Sequence, residues 1–259
     1  MTSGIALVTG GARRIGAAIV KRLAADGWDV CIHYNNSEAE AVELRDALIA
    51  QGRRCVALKA DLRKSAEALA LLAECEQRFG GPATALVNNA SLFQYDTLQT
   101  LAPEHLQSTL DINFVAPILL AQAFAKASGA EGCIVNLLDQ KVRNLNPDFF
   151  SYTLSKVALA SATELLARVL APVRVCGVAP GSSLPSADET EDEFLRARRA
   201  TPLGRTSTPD DVADAVLFLL RSKAITGEVL TVDGGQHLLP ADRDIMFLQR
   251  ALTHAKTAI

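Results

Sequence analysis

Tyr152 and Lys156 stand four residues apart in Tyr152-Thr153-Leu154-Ser155-Lys156, at the start of a long helical pattern. Residues at that spacing share one helix face, so the Lys156 ammonium can lower the pKa of the Tyr152 phenol. A phenol tuned in this way is a general acid. By itself such a pair is commonly just a surface pair; a motif far upstream gives it chemical meaning. Thr9-Gly10-Gly11-Ala12-Arg13-Arg14-Ile15-Gly16 follows an apolar run and leads into an alanine-rich helix. Glycine lets the backbone turn tightly and approach a pyrophosphate, and the helix start adds unpaired N–H donors at the positive end of its dipole. The sequence context, strand before and helix after, favours a dinucleotide site over a purely structural turn. The second apolar run ends in His33-Tyr34-Asn35-Asn36-Ser37, with no carboxylate to repel a ribose 2′-phosphate. Asn36 and Ser37 can hydrogen-bond that phosphate, while Arg14, joined by Arg13, supplies positive charge, which favours NADPH over NADH. The bland reading has both arginines solvated and Ser37 only capping its helix. Asp61, after the third run, is placed to meet an adenine edge or to cap the next helix.

These side chains need a frame. Short apolar runs bounded by turn residues recur at Ile5–Thr9, Trp28–Tyr34, Cys55–Lys59, Ala85–Asn89, Cys133–Leu138, Val173–Val178 and Glu228–Val232, and read as seven strands. Between them, helical spacing runs over Ile15–Asp26, Ser37–Gln51, Ser65–Phe79, Pro103–Ser128, Tyr152–Leu170 and Pro209–Leu220. Ser37 with Glu40, and Pro209 followed by Asp210 and Asp211, look like helix starts. Runs such as Ala-Leu-Val-Thr show no polar alternation, as strands covered on both faces require. The expected architecture is α/β, a single-domain, doubly wound seven-stranded parallel sheet over residues 1–259. Residues 181–202 hold Gly181, Ser182, Ser183 and Pro185, then an acidic run and three arginines. They read equally as a substrate lid or as a surface helix with a long lead-in.

Composition narrows the partners. The 259 residues are 49% hydrophobic and 21% charged, with net charge −3. That balance gives neither nucleic acid nor an anionic membrane a non-specific foothold. The five cysteines form no close pair in sequence, and they and the four histidines show no metal-ligand spacing, so no metal site is expected. With no leader or spanning pattern at the N-terminus, the expectation is a cytoplasmic protein.

At these residues the chain resembles the short-chain dehydrogenase/reductase family over about residues 5–237. The shared motifs, in order, are the Thr9–Gly16 turn, Asn88-Asn89-Ala90, Asn113, Tyr152 with Lys156, Pro180-Gly181 and Asp233-Gly234-Gly235. The resemblance implies a Rossmann sheet, hydride transfer with a nicotinamide cofactor, and a homotetramer. It implies further cofactor contacts at Ile15, Leu62, Asn89, Ala90, Ser91, Pro180, Gly181 and Ser182 and on the ribose by Lys156.

Two departures point to a branch. Arg14 stands where the family has glycine, and Asp139 where it has serine, thirteen residues before the tyrosine. Both look like pteridine reductase, as do His33–Ser37 and Asn88-Asn89-Ala90-Ser91-Leu92-Phe93; the bacterial dihydromonapterin reductases are similar too. The implied substrate is a dihydropterin, dihydromonapterin or dihydrofolate, with Arg14, Ser91, Phe93, Asp139 and Tyr152 around it. A flat heterocycle can stack on Phe93, and Asp139 can hydrogen-bond or protonate ring nitrogens as serine cannot. In that scheme Asn113 holds a connecting water. A bland alternative packs Phe93 on the core and pairs Asp139 with Lys141 or Arg143. Two other readings stand beside this one: a ketoreductase of 3-oxoacyl-carrier-protein type, and a regulator that binds dinucleotide without turnover. Residues 238–259 extend past the family's usual end.

Overall fold

Every strand carries apolar residues toward both faces, and the computed structural model, which describes residues 4–129, 132–185 and 190–247, shows why. The strands are β1 (Ile5–Val8), β2 (Asp29–Tyr34), β3 (Cys55–Lys59), β4 (Ala85–Asn88), β5 (Cys133–Leu137), β6 (Arg174–Pro180) and β7 (Val229–Val232). They form one parallel sheet in the order β3-β2-β1-β4-β5-β6-β7. Ala6, Val8, Val30, Ile32 and Val135 face α1 (Arg14–Ala25), α2 (Glu38–Ala50) and α8 (Pro209–Arg221). Their neighbours Leu7, Cys31, Leu86 and Ile134 face α3 (Ser65–Phe79), α5 (Ala116–Ala127) and α6 (Phe150–Val169). One sheet between two helical layers is the doubly wound arrangement that the runs imply.

The chain moves outward from β1 to β3 and then returns to place β4 on the other side of β1. That reversal opens a crevice at the carboxyl ends of β1 and β4, where such sheets bind ligands. All five cysteines are buried free thiols.

The structure departs from expectation in three places. Ser37 makes no capping hydrogen bond to α2, because at φ −97°, ψ 55° it lacks the extended backbone that aims a cap side chain at the helix N–H groups. The expected helix Pro103–Ser128 is interrupted: α4 (Pro103–Leu110) passes through a π turn (Asp111–Val115) into α5. Pro117 lacks an N–H for the carbonyl of Asn113, and the Ala116 N–H reaches back to Asp111, the wider π spacing. The 25-residue helical stretch Pro103–Ala127 is long and apolar enough to cross a membrane, but Leu120, Ala121 and Phe124 are packed in the core. Lastly, Glu191–Arg199 forms α7, started by a Thr190/Glu193 capping box and buried through Phe194 and Ala197. Of the segment 181–202, residues 186–189 lie outside the described residues; of 238–259, so do 248–259.

Candidate active site

Tyr152 sits in the first turn of α6 and Lys156 one turn later, both buried. Asp139 lies beyond β5, where its Oδ1 accepts the Lys141 backbone N–H at 2.9 Å and opens a short 3-10 turn, Gln140–Val142. The Tyr152 hydroxyl donates to Asp139 Oδ2 at 2.9 Å. Carboxylic acid and phenol therefore converge. Asp139 does not pair with the Lys141 ammonium, which is turned away to Asn146.

Burial dominates the proton affinities here. It raises the Asp139 pKa above the usual carboxylate range, against the pull of the Lys141 N–H. It pushes the Tyr152 phenol well above 10, and the Asp139 charge adds to that. The expected lowering of Tyr152 by Lys156 is thus reversed. Lys156 Nζ donates to the Leu137 carbonyl at 2.7 Å, and burial brings its own pKa down to about 8.

Behind this pair, Asn113 uses its carboxamide to pin a loop. Oδ1 accepts the Leu92 N–H at 2.7 Å, while Nδ2 donates to the Leu92 carbonyl and to Ser155 Oγ, each at 3.0 Å. The next residue, Phe93, meets Tyr152 edge-on at 4.7 Å between centroids and stacks on Phe149 at 4.3 Å. One face of Phe93 is covered by Phe149, yet the side chain remains 44% exposed. The core-packed alternative does not describe it.

The glycine turn is built for close approach. A Cβ on Gly10, at φ 60°, would sit 2.9 Å from the Ala90 Cα, and one on Gly16 would sit 2.1 Å from the Gly10 carbonyl oxygen. Thr9 Oγ1 accepts the N–H groups of Asn89 and Ala90 at 2.9 and 3.0 Å, and Asn89 Nδ2 returns to the carbonyls of Thr9 and Gly10. This stitches the ends of β1 and β4. The first turn of α1 contains no acidic side chain, so its free N–H groups suit an anion. His33 Nδ1 accepts the Gly10 N–H at 3.0 Å from the neighbouring strand.

A cavity of about 460 Å³, a volume typical of small-molecule sites, joins these parts. Arg14, Ile15, Ser91, Phe93, Asp139, Tyr152, Pro180, Gly181 and Ser182 all line it. Arg14 takes φ 53° and donates to the Pro185 carbonyl at 3.1 Å, tying the turn to the loop after β6. The rest of the expected cofactor set lies apart from this cavity, at the ends of β2 and β3. Tyr34 and Leu62 are buried, Asn35 and Ser37 half-buried, and Asn36 exposed. Arg13 lies 3.5 Å from Glu40. Asp61 takes the Arg63 N–H at 3.1 Å and the Arg63 guanidinium, whose charge and hydrogen bonds lower its pKa. The sequence reading missed Phe149, Lys141, Gln236, Asp244 and Met246, which also line the cavity or support it.

Fold, turn and buried Tyr152–Lys156 pair describe one class. The family model described as Enoyl-(Acyl carrier protein) reductase matches residues 10–237, and the chain belongs to the short-chain dehydrogenase/reductase family of oxidoreductases. It is similar to the crystal structure of FolM Alternative dihydrofolate reductase 1 from Brucella canis complexed with NADP. That match has a TM-score of 0.89 and 39% identity, covering 94% of this chain and 98% of the other. Pteridine reductase 1 of Leishmania tarentolae is 34% identical over 93% of this chain and 98% of its own length. The 3-oxoacyl-(acyl-carrier-protein) reductase FabG of Staphylococcus epidermidis is 30% identical over 90% and 98%.

Proposed function

We propose that this chain is a cytoplasmic, NADPH-dependent reductase of a pterin-like C=N bond, with a dihydropterin, dihydromonapterin or dihydrofolate as substrate. The observation that carries the reading is the Tyr152–Asp139 contact of 2.9 Å inside a cavity flanked by Phe93. The proposed dinucleotide site fits its cofactor: the turn is folded so tightly that a Cβ on Gly10 or Gly16 would strike Ala90 or the Gly10 carbonyl, which keeps its backbone bare of side chains there, and α1 starts without a carboxylate. NADPH supplies the hydride when bound there.

The chain's own residues supply the rest. Reduction of C=N adds a hydride to carbon and a proton to nitrogen. Tyr152 and Asp139, both held toward their protonated forms, donate and relay that proton. Lys156 orients Tyr152 from behind and supplies the donor for a ribose. Asn113 holds Leu92, and so Phe93, in register; a connecting water falls to its backbone carbonyl, which Pro117 leaves without an α-helical partner. Ser91 and Arg14 sit at the rim to contact the ring and the phosphates. The apolar faces around Ile118 and Leu165, on α5 and α6, suit burial between copies in a homotetramer.

The competing ketoreductase reading draws support from the FabG-like relative. Initial rates of NADPH oxidation with dihydrobiopterin, dihydromonapterin, dihydrofolate and an acetoacetyl thioester discriminate. Turnover of a pterin is expected. Thioester turnover alone selects the ketoreductase, and cofactor binding without turnover selects a regulator. Asp139→Ser should lower pterin kcat/KM about 10-fold or more with NADP+ binding retained.

A further inference from the structure

Beyond β7 the chain turns back to the cavity, and Asp244 and Met246 help line it. Two ion pairs dock this segment. Arg243 grips Asp148 through Nε to Oδ2 at 2.8 Å and Nη2 to Oδ1 at 2.9 Å. Asp244 Oδ2 lies 2.8 Å from Nζ of Lys141, a side chain only 3% exposed. That ammonium also donates to Asn146 Oδ1 at 2.7 Å and to the Asp148 carbonyl at 3.4 Å. Lys141 therefore holds two carboxylates at once: Asp139 by its backbone N–H, Asp244 by its side chain.

Asp244 is not used up by these contacts. Oδ2 faces Lys141 and Oδ1 accepts the Met246 N–H at 3.1 Å, whereas a carboxylate offers about four acceptor sites. Its side chain keeps 16% of its surface exposed beside the cavity. Its charge also reaches the reacting pair, adding to the proton affinity of both Asp139 and Tyr152. The Asp244 carboxylate can only accept hydrogen bonds, so this part of the cavity wall selects a ligand edge that donates them. An aminopyrimidine edge, with an exocyclic amino group next to a ring N–H, presents two parallel donors matched to a carboxylate. A thioester carbonyl presents only lone pairs.

We infer that Asp244, held by Lys141, is a specificity-determining residue that accepts the N–H groups of the substrate's aminopyrimidine edge. The inference rests on the pterin reading above and names which part of the ring the cavity recognises. Its test compares a dihydropterin with the analogue that carries oxygen in place of the exocyclic amino group. The wild-type protein should prefer the amino ring by about 10-fold or more in kcat/KM. In Asp244→Asn that preference should collapse to within about 2-fold, through KM for the amino ring rather than kcat. Damage to structure alone would weaken both substrates together. The double variant Lys141→Met/Asp244→Asn removes both members of the ion pair, so no buried ammonium is left unpaired, and keeps the comparison if the single variant folds poorly; NADP+ binding reports folding in each. An undiminished preference in either folded variant, or an equal loss for both substrates, overturns the role of Asp244 and leaves the pterin reading standing. A wild-type protein that reduces neither ring sinks the pterin reading and this inference with it.

Discussion

Acidification should loosen this protein through one histidine. His33 is 2% exposed and bridges two elements: its Nδ1 accepts the Gly10 N–H at 3.0 Å, and its Nε2 lies 3.1 Å from the Ala60 carbonyl. Both contacts are satisfied by the neutral ring with its proton on Nε2, whereas the protonated ring would aim an N–H at the Gly10 N–H. Burial brings the His33 pKa down from 6.5 to about 4, with the Ala60 hydrogen bond opposing. The folded value is depressed, so the unfolded chain takes up a proton first as pH falls. The stabilisation is complete above about pH 6.5 and is lost on descending to about 4; at about 1.36 kcal/mol per pKa unit it amounts to about 3 kcal/mol. By pH 5 about 2 kcal/mol of this should be gone. Urea unfolding of the wild type and of His33→Gln, which keeps a donor and an acceptor but does not titrate, isolates the effect. Between pH 7 and pH 5 the wild type should lose about 2 kcal/mol more than the variant. NADP+ affinity of the folded wild type should hold to about pH 5 and fall only as pH approaches about 4, where the folded protein's own His33 takes up its proton, because the histidine fixes the turn proposed to hold the phosphates. Parallel stability curves for the two proteins would refute the reasoning.

Two substitutions probe other parts of the site. Tyr152→Phe should reduce kcat by about 100-fold or more while NADP+ still binds; turnover near the wild-type rate would remove the phenol from the mechanism. Arg14→Gly should relieve about 1 kcal/mol of left-handed backbone strain at φ 53° and raise the Tm by about 2–4 °C. The same change should raise substrate KM, since the hold on Pro185 is lost; an unchanged or lower Tm speaks against strain at this position.

The sheet could be read from the chain because its determinants are local. Strands such as Cys133–Leu137, buried along their whole length, need an unbroken apolar run, and their observed ends differ from the expected ones by about a residue. The turn and the Tyr152–Lys156 spacing are local too. The site's far wall is not. Asp148 and Arg243 are 95 residues apart, and only the folded chain makes them partners. Phe149, which takes φ 53° ahead of α6, has no sequence mark of a left-handed residue, unlike a glycine. The π turn at Asn113 had a faint signal in Pro117, four residues on, but proline near a helix start is ordinary. Ser37 shows the opposite failure: a suitable residue type whose backbone geometry leaves its cap unmade.

Helical spacing suggested that Lys156 would ease the proton off Tyr152, and the direction is the reverse. Spacing reports that two groups share a face; it does not report what water they keep. Tyr152, Asp139 and Lys156 are all buried, and for each the largest influence is the loss of solvent. That loss favours the uncharged form of all three, raising the two acids and lowering the base to about 8. An acid biased toward its protonated form suits the proposed reduction, in which the nitrogen that gains charge as hydride arrives must find a proton donor. The serine that stands in the wider family at position 139 can pass a hydrogen bond but has no carboxyl proton to give. Asp139, kept out of water and 2.9 Å from the phenol, carries one, and its burial raises its hold on that proton.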